Sequence, residues 1–216
     1  MLKYTEYQSQ KSNVSKLIFL LHGYGSNKDD LISIAPELAQ YIPDALFISP
    51  NAPEILEDSE YMAEAYQWFS LKDRAEEKML NGAKKASVRL ESFILDQIKK
   101  FNLSLHDIAL IGFSQGAMMA MHLGLRLQHQ IRGIIGYSGL LIAPSKLKEE
   151  IISRPPIALI HGIEDNVVSI IEMDKAKRAF DDNAITSYTH RCKMLAHGID
   201  YDGIKFGGNF LHKVFF

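Results

Sequence analysis

Short continuous runs of Ile, Leu, Val and Phe alternate along this chain with longer amphipathic stretches, and few folds accept that rhythm. The runs are Leu17–Leu21, Ala45–Ile48, Ile108–Ile111, Ile134–Tyr137 and Ile157–Ile160, followed by the more polar Ile185–Thr189. A strand that is apolar at every position must be covered on both faces, the condition of a parallel sheet between helices. The stretches between are Asp29–Gln40, Gly82–Lys100, Gln115–Gln128 and Ile170–Phe180. In the second of these, Val88, Leu90, Phe93, Ile94, Leu95 and Ile98 keep mostly to one side. Lys84, Lys85, Arg89, Glu91, Lys99 and Lys100 take the other, which makes one buried face and one wet face. The pattern predicts an α/β fold, with a mostly parallel sheet and helices on both faces. No internal repeat, low-complexity segment or Gly/Ser linker interrupts it, so residues 1–216 are expected to form a single domain.

Charge and cysteine content narrow the function. Lys and Arg number 24 against 26 Asp and Glu, a formal net charge of −2, which provides no basic face for nucleic acid. Cys192 stands alone, so neither an intramolecular disulfide nor a cage of zinc-bound thiolates can form. The first residues, Met1 to Lys16, are polar and do not read as a secretory signal. The apolar runs fall far short of the ~20 residues of a membrane helix. A cytoplasmic location without stable membrane insertion is the expectation.

The stretch 50–81 breaks the rhythm. It carries Pro53, the acidic residues Glu54, Glu57, Asp58, Glu60 and Glu64, and the aromatics Tyr61, Tyr66, Trp68 and Phe69. An excursion of this length in a compact domain is either a groove or lid element or a solvated loop with its aromatics tucked into the core.

Between the run Ile108–Ile111 and the helix expected from Gln115 stands Gly112-Phe113-Ser114-Gln115-Gly116. A G-x-S-x-G turn between a buried strand and a helix lifts the serine hydroxyl above the sheet on a strained backbone, and neighbouring side chains two positions either side would clash. The helix N-terminus there also favours negative charge developing beside Ser114. A serine hydroxyl is a poor nucleophile without a base, and the base needs an orienting carboxylate. With this elbow the partners follow in the order Ser, acid, His. His161-Gly162-Ile163-Glu164-Asp165 closes the run Ile157–Ile160 and offers Asp165 as the acid, with Glu164 as the neighbouring contender. His161 is expected to hold the turn. Of the later histidines, His190 ends the last strand-like run and His212 sits in an apolar terminal segment, whereas His197 occupies a loop. His197 is therefore the expected base, with Ser114 the nucleophile and Asp165 the acid. His22-Gly23-Tyr24-Gly25 follows the first apolar run, so the two donors to a developing oxyanion would be the N–H of Gln115 and one near Gly23 or Tyr24. That glycine pair lacks the third glycine of a dinucleotide fingerprint and the Lys-Ser/Thr of a P-loop.

Leu21-His22-Gly23-Tyr24-Gly25, Gln67-Trp68-Phe69, the elbow, and His161-Gly162 with Asp165 together resemble the phospholipase/carboxylesterase family of α/β-hydrolases, which includes the acyl-protein thioesterases. The resemblance implies an α/β-hydrolase fold and the triad Ser114, Asp165 and His197. It also implies an oxyanion hole from the N–H groups of Leu21 and Gln115, and a groove flanked by Trp68 and Phe69, with Gly23 and Tyr24 beside it. Two departures stand out: Ala196-His197-Gly198 where the family has Gly-His-Ser, and Asn166 and Ser169 where it tends to have proline. The implied activity is hydrolysis of a carboxylic ester or thioester through an acyl-enzyme on Ser114, with no cofactor and no metal. The implied partner is a small-molecule ester or acyl substrate, lipid-derived ones included, bound by a monomer or homodimer. The competing reading is a non-catalytic lipid- or protein-binding member of the same fold. Met118, Met119 and Met121 are expected to fill the core, the aromatic C-terminus to form a final helix on the sheet, and Cys192 to sit in or beside the last strand.

Overall fold

A computed structural model describes residues 2–9, 13–57 and 64–216. Asp58, Glu60 and Tyr61 of the long excursion, and Met1 and residues 10–12 of the polar start, lie outside the described residues. The strands are β1 (Tyr4–Gln8), β2 (Lys16–Leu21), β3 (Ala45–Pro50), β4 (Glu54–Ile55), β5 (Tyr66–Gln67), β6 (Ile108–Phe113), β7 (Gly133–Tyr137), β8 (Ile157–Gly162) and β9 (Ser187–Cys192). The helices are α1 (Lys28–Leu31), α2 (Ala35–Leu38), α3 (Glu76–Phe101), α4 (Gln115–Gly124), α5 (Leu147–Glu150), α6 (Ile171–Asp182) and α7 (Tyr201–Phe215).

The main sheet runs β1-β3-β2-β6-β7-β8-β9. All its pairings are parallel except that of β1 on β3. Alternate residues of each inner strand serve opposite faces. Leu17, Phe19 and Leu21 of β2 join a core with Leu90, Phe93 and Ile94 of α3, Met119 of α4 and Phe180 of α6. Ile18 and Leu20 point the other way, into a core with Leu38 of α2 and Phe210 and Leu211 of α7. Each such side chain removed from water contributes roughly 1.5–3 kcal/mol, which is what holds the helices on both faces. The expected C-terminal helix therefore forms and packs on the sheet.

The expected helix Gln115–Gln128 ends at Gly124, and three further elements differ. Asp29–Gln40 is not one helix but α1, a 3₁₀ turn at Ile32–Ile34, and α2. Pro36 lacks the N–H that a continuous helix would donate to Ile32, and it enters only in the first turn of α2. Helix α3 starts six residues before Gly82, and that glycine is a close approach: a Cβ there would meet Phe69 Cβ at 2.6 Å. The last strand lies at Ser187–Cys192 rather than Ile185–Thr189, with Cys192 wholly buried at its end.

Candidate active site

The turn between β6 and α4 has the geometry its glycines require. Ser114 sits at φ 53°, ψ −116°, a left-handed conformation that costs a non-glycine residue of order 1–3 kcal/mol. Its amide donates to Tyr137 O at 2.9 Å, and its carbonyl accepts from the amides of Ala117 and Met118. A Cβ at Gly112 would meet the Gly116 carbonyl at 2.2 Å. One at Gly116 would meet Leu21 O at 1.8 Å. The two glycines let β6, β2 and α4 close to backbone contact, and that closure leaves Ser114 on the cavity wall.

The carboxyl ends of β8 and β9 bring Asp165 and His197 together. His197 Nδ1 donates to Asp165 Oδ2 at 2.8 Å. Asp165 Oδ1 accepts from the amides of Val167 and Val168, both at 2.9 Å. Burial alone would raise the Asp165 carboxyl, but the His197 hydrogen bond and the two valine amides outweigh it and hold it below its ordinary value. His161 Nε2 donates to Val168 O at 2.8 Å and lies 3.2 Å from Asp165 Oδ2, so this histidine holds the turn, as expected. Glu164 is exposed, and its amide instead donates to Leu195 O at 3.0 Å. With the Ile163 amide on Cys192 O, that bond ties the His197 loop to the turn after β8. The His197 ring packs on Phe113 at 4.8 Å. Of the other late histidines, His190 meets Asp202 and His212 meets Tyr41 O.

Ser114 and His197 line one cavity of about 550 Å³. No hydrogen bond links their side chains, and such a pair typically tightens only around substrate. Leu71, Met79, Met118, Leu140 and Val168 form an apolar wall of the same cavity, and Asp30, Arg74 and Glu172 add charge. Gly23 and Tyr24 line it as expected. Met119 and Met121 fill the core, whereas Met118 is shared between core and cavity.

Three of the expected residues stand off the cavity. Trp68 and Phe69 do not line the cavity; they are 1% and 2% exposed and form a clamp beneath it. The Trp68 amide donates to Gln115 Oε1 at 2.9 Å and Gln115 Nε2 donates to Phe69 O at 2.6 Å. Trp68 Nε1 donates to His22 O at 2.9 Å. Leu21 is the third. It is the last residue of β2, fully buried and in register with Gly112, and it does not line the cavity. The turn that follows does reach the cavity. Its Gly25 amide is spent on Tyr66 O, while the Tyr24 amide, like that of Gln115, has no hydrogen-bond partner among the described residues.

His22, read from sequence only as part of the turn, fixes that turn. Its Nδ1 donates to Gly23 O at 2.7 Å and its Nε2 accepts from the Ala52 amide at 2.9 Å. Complete burial lowers its pKa to about 4, so it is neutral. Cys192, whose thiol burial pushes up to about 12, is inert as a nucleophile at neutral pH.

The sequence matches the family model described as Phospholipase/Carboxylesterase over residues 2–215. It is 30% identical over 208 residues to acyl-protein thioesterase 1 of Saccharomyces cerevisiae, 91% of each chain. Esterase YpfH of Escherichia coli is 27% identical over 203 residues, covering 92% of this chain and 83% of that one. The crystal structure of esterase PE8 superposes with a TM-score of 0.91 at 36% identity over 99% of both chains. These relatives are enzymes of ester chemistry, and they do not favour the binding-only alternative.

Proposed function

The chain belongs to the phospholipase/carboxylesterase family of ester hydrolases, and from that premise we propose that Ser114, His197 and Asp165 are its catalytic triad. The observation that carries this reading is the convergence on one cavity of a strained serine at a strand-to-helix elbow and a histidine held by a buried carboxylate. His197 Nε2 takes the proton as Ser114 Oγ attacks the acyl carbon. It then returns that proton to the departing alcohol or thiol. In the second half-reaction it activates water against the acyl-enzyme. Asp165 fixes the Nδ1–H tautomer and stabilises the imidazolium without taking the proton itself. The amides of Gln115 and Tyr24 receive the oxyanion, each contributing about 3–4 kcal/mol to the transition state.

The apolar wall made by Leu71, Met79, Met118, Leu140 and Val168 supports an acyl substrate, a carboxylic ester or a thioester. Each methylene buried there contributes up to ~0.8 kcal/mol. The test is hydrolysis of p-nitrophenyl esters from acetyl to palmitoyl, alongside the matching acyl-coenzyme A thioesters, by wild type and Ser114→Ala. Turnover abolished by the substitution supports the triad, and the preferred length reports the reach of the apolar wall. Turnover that survives in Ser114→Ala refutes it.

A further inference from the structure

At the root of the loop that carries His197, three donors of different chemistry converge. A ring nitrogen of His190, Cys192 Sγ and a carboxylate oxygen of Asp202 lie within 4.8 Å of one another, a grouping found nowhere else among the described residues. The fold produces this by period. His190 and Cys192 are two apart on β9, so both face α7, and Asp202 stands in the first turn of that helix. His190 Nε2 is 2.7 Å from Asp202 Oδ2, and its ring is held flat on Phe206 at 4.7 Å and 17°. Cys192 is fully buried, whereas the His190 and Asp202 side chains are 25% and 65% exposed, which leaves an entry path from solvent on one side.

The space around the thiol is also kept open by chain chemistry. A Cβ at Gly203 would stand 3.3 Å from Cys192 Sγ and 3.1 Å from Asp200 Oδ1, so any larger residue would crowd both groups. Asp200 adds a second carboxylate beside the sulfur, although its Oδ1 already caps α7 by accepting from the Gly203 amide at 2.7 Å. One soft sulfur, one imidazole and one or two carboxylates is a donor set for zinc rather than for magnesium or calcium, which take oxygen alone. A lone cysteine precludes a cage of thiolates but not this mixed set.

We propose that His190, Cys192 and Asp202 bind a divalent cation of the zinc class, bridging β9 to α7 across the ends of the His197 loop. Tetrahedral coordination needs donor separations of about 3.5 Å, so His190 Nε2 and Asp202 Oδ2, 2.7 Å apart, open by about 1 Å while Cys192 Sγ, within 4.8 Å of both, draws in. The thiol proton leaves to solvent. His190 gives up its hydrogen bond to Asp202 and takes the Nδ1–H tautomer, freeing Nε2 for the metal. Thiolate and carboxylate together balance the two positive charges. A water fills the fourth position, and no redox step is involved.

The site is separate from the catalytic chemistry, so its test does not depend on turnover. Cobalt(II), as a spectroscopic probe, is titrated into the His197→Ala protein, which removes the imidazole that lines the cavity. The expected result is one ion per chain with a near-ultraviolet thiolate-to-cobalt absorption, displaced by zinc. That absorption vanishes in Cys192→Ser, and the affinity falls at least tenfold in His190→Ala and in Asp202→Asn, both partly exposed positions that leave the core intact. Absorption that is absent in the Cys192-containing protein, or binding that is unchanged in His190→Ala and Asp202→Asn, overturns the proposal. A second readout is thermal: zinc raises the Tm of the His197→Ala protein and leaves that of the His197→Ala/Cys192→Ser protein where it was. If the triad reading fails instead, Ser114→Ala stays active while the cobalt spectrum is unaffected.

Discussion

Replacing Gln115 by Met tests whether the side chain after the nucleophile works as the keystone beneath the oxyanion donors. Methionine keeps the length and most of the volume of glutamine, so packing is nearly conserved and the loss is of hydrogen bonds. In the native chain Gln115 is fully buried, accepting from the Trp68 amide at 2.9 Å and donating to Phe69 O at 2.6 Å. The substitution orphans one buried N–H and one buried carbonyl. At about 1–3 kcal/mol each, the total is about 2–6 kcal/mol. In a domain of this size 1 kcal/mol corresponds to about 2–4 °C, so the Tm should fall by roughly 5–20 °C. Catalysis should suffer less than stability. The backbone N–H of residue 115 survives, as does that of Tyr24, but Trp68 no longer holds the His22 carbonyl as firmly ahead of that turn. Losing a donor outright costs about 10²–10³ in kcat, so loosening the spacing between two intact donors should cost roughly tenfold, with KM for a short ester unchanged. Circular dichroism melting and p-nitrophenyl butyrate kinetics at 25 °C measure the two effects. A Tm within 2 °C of wild type, together with an unchanged kcat, would refute the clamp.

Asp165→Asn should leave the fold intact but present the wrong tautomer to Ser114, lowering kcat on the order of 10⁴-fold with little change in KM; single-turnover acylation by a p-nitrophenyl ester reads it, and a loss under tenfold would assign the acid elsewhere. His22 makes a prediction about acid stability. Burial holds its pKa at about 4 in the folded chain, against 6.5 when exposed. Below pH 6.5 the unfolded chain takes up a proton that the folded chain refuses, so stability declines through this window and is ~2–3 kcal/mol lower by pH 4.5 from this group alone. Urea unfolding at pH 7 and pH 4.5 should therefore show a smaller decline in His22→Gln than in wild type. Equal declines would mean that His22 is not held neutral.

The parts of this molecule legible in the sequence are those where chemistry is tied to a local backbone constraint. Ser114 could be found because a non-glycine residue at φ 53° between two crowded glycines leaves a pattern within five residues. Asp165 could be singled out because it follows a strand whose burial is written in its own composition, and His197 because, of the histidines after that strand, it alone stands outside a strand or helix. Strand β1 could not be found, because Tyr4 packs on Phe93 on one side of the sheet and Tyr7 on Phe47 on the other, so no alternation of apolar and polar residues marks it. Trp68 misled for a related reason: an indole in a long loop has the same sequence signature whether it faces a ligand or a neighbour. Which it faces is decided by Gln115, 47 residues along the chain. Leu21 and Tyr24 are three residues apart, and which of their amides faces the cavity depends only on how the chain leaves the sheet. The same distinction explains why the reaction class was readable and the substrate was not. The proposed triad consists of three side chains with their own local signatures, whereas the cavity wall is assembled from residues as far apart as Tyr24, Leu71, Met118, Leu140 and Val168. No single stretch of sequence carries that wall's shape, so acyl length must be measured, while a nucleophile can be proposed from five residues.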